Sequence, residues 1–232
     1  MSTASEKYTD SIKDLWKMYD FLNENFFDTK LSKPVITIQR DEKNKTYGWW
    51  TVKKVWKWND KVPVNCAMGE NDNCSRDDSI FTNCFELVEK EEYELNVTAQ
   101  GLNRPIDDIV ATLLHEMCHQ FATMHGVQDT SRSGRYHNKL FKSIAEKHGL
   151  ACLRVEQYGW TETVLTTETK NLIKPFIEEN QFRFIYRLPV QYGQALKVTN
   201  KYMCPSCGNS CRATKELRLM CLDCNELMTL AN

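Results

Sequence analysis

The sequence predicts an α+β fold in which helices pack on a small sheet, followed by a small cysteine-rich module. Two long segments, residues 8–28 and 106–121, carry apolar side chains at helical spacing. Short runs rich in β-branched residues, at 34–38 and 94–98, precede the second of these helices. Cysteines spaced as C-x-x-C occur only after residue 200. Together, these patterns indicate an α+β domain with an appended module.

Length and composition are those of a globular protein. The chain has 232 residues, of which 41% are hydrophobic and 11% aromatic, so it can bury a sizeable core and is not expected to be disordered. We predict a main domain over residues 1–200, with its core at 8–150 and a connecting region at 151–200, and a module at 201–232. The net charge is −1, but seven Lys/Arg against three Asp/Glu follow residue 180, a balance compatible with nucleic acid.

Targeting signals are absent from the sequence pattern. Residues 1–17 lack the apolar run of a signal peptide, and no stretch resembles a membrane span. Ten cysteines without an export signal indicate thiols and metal ligands rather than disulfides. The sequence therefore predicts a cytoplasmic protein without a membrane partner, associated with the nucleoid if it is bacterial.

The first elements are a helix that covers the core, at residues 8–28, and a strand at 34–38. Residues 47–58 carry four tryptophans interleaved with three lysines, and we interpret them as one strand. The tryptophans favour a strand face buried in the core. The alternative is an aromatic and basic strip that stacks bases and contacts phosphates through Lys53 and Lys57.

Residues 60–92 are polar and acidic, and we predict an inserted loop. Its cysteines, Cys66, Cys74 and Cys84, are spaced too irregularly for a standard zinc knuckle, so we expect ordinary thiols and leave a further metal site open. Residues 94–98 then alternate as a strand. As an edge strand, this segment could pair with an extended peptide backbone.

Residues 115–119, HEMCH, lie inside the second predicted helix, which begins near Pro105. Residues four apart share one face of a helix, so His115 and His119 can bind one metal ion while Glu116 reaches a water molecule on it. Two nitrogen ligands and one carboxylate base are what a zinc hydrolase needs. The apolar stripe on another face consists of Ile106, Ile109, Val110, Leu113, Leu114, Met117 and Phe121.

A catalytic zinc site needs a third protein ligand, and two histidines are candidates. His125 lies six residues after His119, which is the metzincin spacing, but the glycine of that motif is Ala122 here. His137 follows a polar loop at 127–135 and is predicted to begin another helix, so the loop could return it to the metal.

Cys204, Cys207, Cys221 and Cys224 form two C-x-x-C pairs separated by thirteen residues. Two such knuckles can hold one zinc ion with four thiolates, and they predict a structural zinc ribbon. We expect Cys211 to be a free thiol, because it breaks the symmetry of the pairs.

Basic side chains near these cysteines, Arg212, Lys215 and Arg218, are candidates for binding nucleic acid, although the ribbon could equally serve only to pack against the main domain. Before the ribbon, the connecting region has strand-like pieces at 182–188 and 195–198 whose role the sequence does not reveal.

The run Leu113–His119, followed after a loop by Gly134, His137 and Phe141, resembles the SprT-like family, which includes the Spartan proteases. The resemblance covers roughly residues 8–150 and the C-terminal cysteines. It implies a zincin-like metalloprotease minidomain followed by the zinc ribbon.

Carried onto this sequence, the resemblance makes His115, His119 and His137 the ligands of a catalytic zinc ion and Glu116 the general base on a zinc-bound water. The ribbon holds a second, structural zinc ion. The implied activity is cleavage of proteins bound or crosslinked to DNA, with single-stranded DNA as a partner. Two alternatives stay open: a nucleic-acid-binding zinc protein without proteolysis, and a general intracellular zinc peptidase independent of DNA.

Overall fold

The computed structural model of the chain describes residues 3–42, 46–63, 85–188 and 199–231. The chain divides into two compact units, residues 1–188 and 189–232. The helices of the first unit are α1 (Ala4–Phe27), α2 (Ile106–Met124), α3 (Lys139–Lys147) and α4 (Thr167–Asn180). Its strands are β1 (Val35–Gln39), β2 (Gly48–Trp50), β3 (Trp56–Pro63), β4 (Phe85–Glu92), β5 (Glu94–Thr98), β6 (Thr130–Ser131), β7 (Tyr136–His137), β8 (Leu150–Val155) and β9 (Gly159–Leu165). Within the described residues, no helix combines the length and the apolar character that crossing a bilayer requires.

Helix α1 begins earlier than the apolar pattern predicts, because its N-terminus carries a capping box. The Thr3 hydroxyl accepts a hydrogen bond from the Glu6 N–H, and the Glu6 carboxylate accepts one from the Thr3 N–H. On the inner face, Leu15, Met18 and Leu22 are almost completely buried. Burial of each such side chain contributes about 1.5–3 kcal/mol, so the predicted helix covering the core is confirmed.

Strand β5 is the centre of a three-stranded sheet, not its edge, so our prediction of an edge strand at 94–98 is wrong. It pairs in parallel with β1 and antiparallel with β2, and all its residues are buried. Its polar side chains are hydrogen-bonded inside the protein, which is why alternation misled the prediction. The indole N–H groups of Trp49 and Trp56 donate to the Glu94 carboxylate, and the Asn96 side-chain oxygen accepts from the Gln39 N–H. The two edge strands of this sheet are β1 and β2.

The tryptophan-rich segment 47–58 is divided between two strands. Strand β2 ends at Trp50, and β3 begins at Trp56. Trp50 packs against the core, whereas Trp56 and Trp58 are each 42% exposed and Val52 is 70% exposed. The predicted buried face is therefore wrong beyond Trp50, because alternation does not reveal which strand face another element covers.

Strands β3 and β4 form an antiparallel hairpin, so the predicted loop at 60–92 is wrong at both ends. The Lys57 Nζ atom lies 2.7 Å from Oε1 of Glu89 on the neighbouring strand. Three cysteines of the predicted loop fall outside the described residues: Cys66, Cys74 and Cys84.

The region after residue 150 has more regular structure than its sequence pattern suggests. Strands β8 and β9 form a hairpin in a sheet of order β6-β7-β9-β8, and α4 follows. Residues 182–188 are not a strand, so that prediction is wrong; Phe182 and Phe184 pack against the core instead. The predicted strand at 195–198 lies outside the described residues.

The second unit is built from short strands: β10 (Asn200–Met203), β11 (Ser210–Ala213), β12 (Met220–Cys221), β13 (Glu226–Leu227) and β14 (Thr229–Ala231). They form a three-stranded sheet, β11-β10-β14, and the two-stranded β12-β13. Tyr202, Cys204 and Cys221 are its buried side chains among the residues described here. So few apolar groups make a small core, and a unit of this size is usually stabilised by a metal or by disulfides.

Candidate metal centre and active-site cleft

Helix α2 carries the HEMCH residues on a rigid support. Asp107 and Asp108 place negative charge in its first turn, where the helix dipole favours it. Its core side is fully buried through Leu113, Leu114 and Met117. His115 and His119 lie one turn apart on another side, as the spacing predicts.

The structure brings His137 to this pair. The Nε2 atoms of His115 and His119 lie 3.2 Å apart. The Nε2 atom of His137 lies 3.2 Å from that of His115 and 3.0 Å from that of His119. Tetrahedral zinc with bonds of about 2.0–2.1 Å holds such nitrogens about 3.3 Å apart. The buried Phe141 ring lies 4.6 Å from each imidazole and supports all three. Converging nitrogen lone pairs repel one another unless a cation lies between them, so this cluster fits one metal ion.

A short hairpin returns His137 to α2. Strands β6 and β7 pair around a turn in which Gly134 has φ = 81°, a conformation that glycine adopts without strain. The His137 N–H donates to the Tyr158 carbonyl at 2.9 Å. We predicted that His137 begins α3, and this is wrong. Asn138 is the N-cap of α3, and its side-chain oxygen accepts a hydrogen bond from the Leu140 N–H.

His125 is not part of the cluster. It is the C-cap residue of α2, and its Nδ1 lies 2.8 Å from the Phe121 carbonyl oxygen. His125 is therefore a helix-end residue whose ring contacts a carbonyl of its own helix. The loop after α2 thus selects His137 rather than His125 as the third nitrogen.

Two further side chains orient the imidazoles. The Thr163 hydroxyl lies 3.0 Å from His115 Nδ1, and the Asp129 carboxylate lies 2.5 Å from His119 Nδ1. Such contacts on Nδ1 leave Nε2 free for a metal. The sequence analysis missed both residues. Asp129 could have been found as the acid in the loop between the second and third histidines, whereas no local signal marks Thr163.

Burial sets the protonation of the centre. It lowers the pKa of His115 well below its ordinary value and that of His137 to about 4, and the neighbouring His119 reinforces both shifts. The rings of His115 and His137 are therefore neutral, as metal ligands must be. Burial also raises the pKa of the Glu116 carboxyl to about 7, while a hydrogen bond from the Trp50 backbone opposes that shift. A carboxyl group with a pKa near neutrality can both accept and return a proton.

Close packing places β2 beside the face of α2 that carries Glu116. A Cβ atom on Gly48 would lie 2.8 Å from the Asn96 carbonyl oxygen, 3.0 Å from Thr112 Cγ2 and 3.2 Å from Glu116 Cγ. Only glycine allows this approach. The open edge of β2 and the histidine cluster therefore border the same cleft, whose volume is about 690 Å³ and whose opposite wall is β9.

We expect Asp129→Asn to weaken zinc binding at the histidine cluster by roughly ten- to a hundred-fold, because the amide no longer provides a charged acceptor for His119. Competition with a zinc chelator measures this change. Asp108→Asn is the matched control, since Asp108 borders the cleft without contacting an imidazole. Equal zinc affinity in Asp129→Asn and the control would contradict the orienting role of Asp129.

The four predicted ribbon cysteines also converge. The sulfur atoms of Cys204, Cys207, Cys221 and Cys224 all lie within 4.8 Å of one another, and those of Cys207 and Cys221 are 3.7 Å apart. Tetrahedral zinc with Zn–S bonds of about 2.3 Å holds sulfurs about 3.8 Å apart. The cluster is thus consistent with a zinc ribbon, and Cys211 lies outside it and is exposed.

The candidate nucleic-acid contacts are all exposed: Lys53, Lys57, Arg212, Lys215 and Arg218. Lys57 is the least available of them, because its ammonium group is paired with Glu89 and lies 4.0 Å from Glu91.

Comparison with known proteins agrees with this geometry. A model of the SprT-like family matches residues 15–158, which is more than half of the chain. The chain belongs to the SprT-like family. The matched span contains the C-terminal part of α1, the β1-β5-β2 sheet, α2, and the segment that carries Asp129 and His137. SprT-like domains are typically of the metalloprotease type, and the three-histidine cluster is consistent with that. No curated protein and no solved structure matches the chain.

Proposed function

We propose that this SprT-like protein is a zinc-dependent endopeptidase of zincin-like architecture that cleaves proteins bound or crosslinked to DNA. The observation that carries the proposal is the convergence of three histidine nitrogens beside the buried carboxyl group of Glu116. His115, His119 and His137 would hold the catalytic zinc ion, and the four ribbon cysteines would hold a structural one.

Zinc at this position would lower the pKa of a water molecule and polarise the substrate carbonyl. Glu116 accepts the proton of the attacking water and then delivers it to the leaving amine. Its position one residue after His115 places it beside the cluster, and its near-neutral pKa suits both transfers. Asp129 and Thr163 keep the rings of His119 and His115 in their productive orientation.

The open edge of β2 supports polypeptide as the substrate. Gly48, Trp49 and Trp50 border the cleft, and β2 uses only one edge, towards β5, in the described sheet. An extended chain can add to such an edge through main-chain hydrogen bonds, with little dependence on its side chains. The cleft also continues past the cluster to β9, so a substrate can extend to both sides of the cleaved bond, as in an endopeptidase.

The DNA part of the proposal rests on the family and on surface charge. Arg212, Lys215 and Arg218 of the second unit are exposed, and contacts to phosphates need such side chains. Trp56 and Trp58 are partly exposed on one face of β3, where bases could stack. Binding to DNA would bring the peptidase to its substrates and would place the protein at the nucleoid in a bacterial cell.

The deciding experiment measures cleavage of a DNA-binding protein by the zinc-loaded enzyme, with and without single-stranded DNA. We expect cleavage that depends on both zinc and DNA. Equal rates with and without DNA would indicate a general peptidase. DNA binding with no cleavage under any condition would indicate a binding protein and would contradict the enzymatic proposal.

A further inference from the structure

Arg104 lies in the wall of the cleft and is held in one orientation. Among the described residues that line the cleft, Arg104 is the only one with a basic lysine or arginine side chain. Its Nε donates to the Gly101 carbonyl at 2.9 Å, and its Nη2 donates to the Thr112 hydroxyl at 2.8 Å. The guanidinium carbon lies 3.8 Å from the centre of the Tyr47 ring. These three contacts fix the guanidinium before any substrate binds.

The charge of Arg104 is poorly compensated. Both of its hydrogen-bond acceptors are neutral, and no ion pair in the described part of the chain includes it. Burial lowers its pKa, with Asp108 opposing that shift. A guanidinium has five N–H donors, so most of the group stays available for an anion in the cleft.

Arg104 lies within reach of a substrate bound at the metal centre. Thr112, which it contacts, is one helical turn before Glu116 and three residues before His115. That spacing corresponds to about 4.5–6 Å along the helix. An extended peptide advances about 3.3 Å per residue, so the guanidinium would lie opposite a substrate position about two residues from the cleaved bond.

The other charged groups of the cleft do not take this role. Glu116 and Asp129 are engaged by the Trp50 backbone and by His119. Asp108 and Glu162 are exposed acids and would repel an anion rather than bind it. Arg104 therefore provides a single, localised site for negative charge.

We infer that Arg104 forms a subsite which binds a carboxylate of the substrate polypeptide, either an Asp or Glu side chain or a chain-terminal carboxylate. The fork of guanidinium N–H groups matches the two oxygens of a carboxylate. This inference rests on the proposed peptidase function. A nucleic-acid phosphate is the other possible anion, but the position of Arg104 inside the cleft with Glu116 favours the chain that is being cut.

The test is a cleavage-site profile of a peptide library, read by mass spectrometry, for the zinc-loaded wild type, Arg104→Gln and Arg154→Gln. Arg154 is an exposed arginine of the same unit and does not line the cleft, so its variant is the matched control. We expect Asp and Glu to be enriched at one position within about three residues of the cut by wild type and control. Arg104→Gln should lose this enrichment.

A pair of peptides then gives the magnitude. For wild type, kcat/KM should be roughly ten-fold or more higher for a peptide with Glu at that position than for the same peptide with Gln. In Arg104→Gln the ratio should approach one, and in Arg104→Glu a Lys peptide should become preferred. The ratio is measured within one variant, so a lower folded fraction does not change it. Peptides that end at that position as a free carboxylate or as an amide distinguish a terminal carboxylate from a side chain.

The outcomes separate the inference from the proposed function. Cleavage without any acidic preference, or an unchanged preference in Arg104→Gln, would overturn the subsite and leave the peptidase standing. An unchanged profile combined with weaker binding of single-stranded DNA by Arg104→Gln would assign the anion to a phosphate and would also overturn it. No cleavage by wild type would refute the peptidase, and the subsite with it.

Discussion

Replacing Glu116 by Gln should reduce peptide cleavage by roughly 10²- to 10⁴-fold without removing zinc. The glutamine has almost the same shape and can still accept the hydrogen bond from the Trp50 backbone, but it cannot take a proton from water. Glu116 is not one of the three histidines whose nitrogens converge, so its replacement leaves the metal ligands in place. The rate of cleavage and the zinc content of the same preparation test both halves of this prediction.

The control for this variant is Glu156→Gln, which makes the same chemical change at an exposed position that does not line the cleft. It should keep wild-type activity. If Glu116→Gln retained more than a tenth of that activity, another group would have to be the general base. If it lost zinc, the carboxyl group would belong to the metal site itself.

Replacing His137 by Ala should abolish zinc binding at the histidine cluster and cleavage with it. Three nitrogens within 3.2 Å of one another are reduced to two, and two histidines do not complete a catalytic zinc site. His125→Ala is the matched control, because His125 contacts a helix carbonyl and not the cluster. It should leave the zinc content unchanged.

Two zinc sites in one chain must be distinguished in this measurement. Elemental analysis gives the total zinc per chain, and X-ray absorption distinguishes nitrogen from sulfur ligands. We expect His137→Ala to lose the nitrogen-bound zinc and to retain the sulfur-bound zinc of the ribbon cysteines. Full zinc in His137→Ala, with loss in His125→Ala, would reverse the choice of third ligand.

Sequence analysis was most successful where the relevant residues are close in the chain. His115, Glu116 and His119 are placed by the period of one helix, and each C-x-x-C pair by one turn, so their geometry is local. The apolar stripe of α2 likewise predicts which face of the helix is buried, and the structure confirms that face. Residue spacing alone allowed either His125 or His137 as the third ligand, so the choice between them depended on information beyond spacing.

Two errors of the sequence analysis, those on residues 94–98 and 47–58, share one cause. Alternation in β5 and the tryptophans of residues 47–58 show that a strand has two different faces, but not what covers each face or edge. Strand β5 is central because β1 and β2 pair with both of its edges, and Trp56 and Trp58 are exposed because β3 joins β4 instead of the core sheet.

The sequence by itself determined the SprT-like character of this protein, its HEMCH helix and its two pairs of cysteines, because short-range spacing specifies each of them. Only the tertiary structure brought His137, which the resemblance implies as the third ligand, to the other two histidines. It also joined Asp129 and Thr163 to the imidazoles and set Arg104 in the wall of the cleft. Those contacts join residues brought together by loops and strand pairing, and the path of a loop depends on the packing of the whole unit rather than on any local pattern.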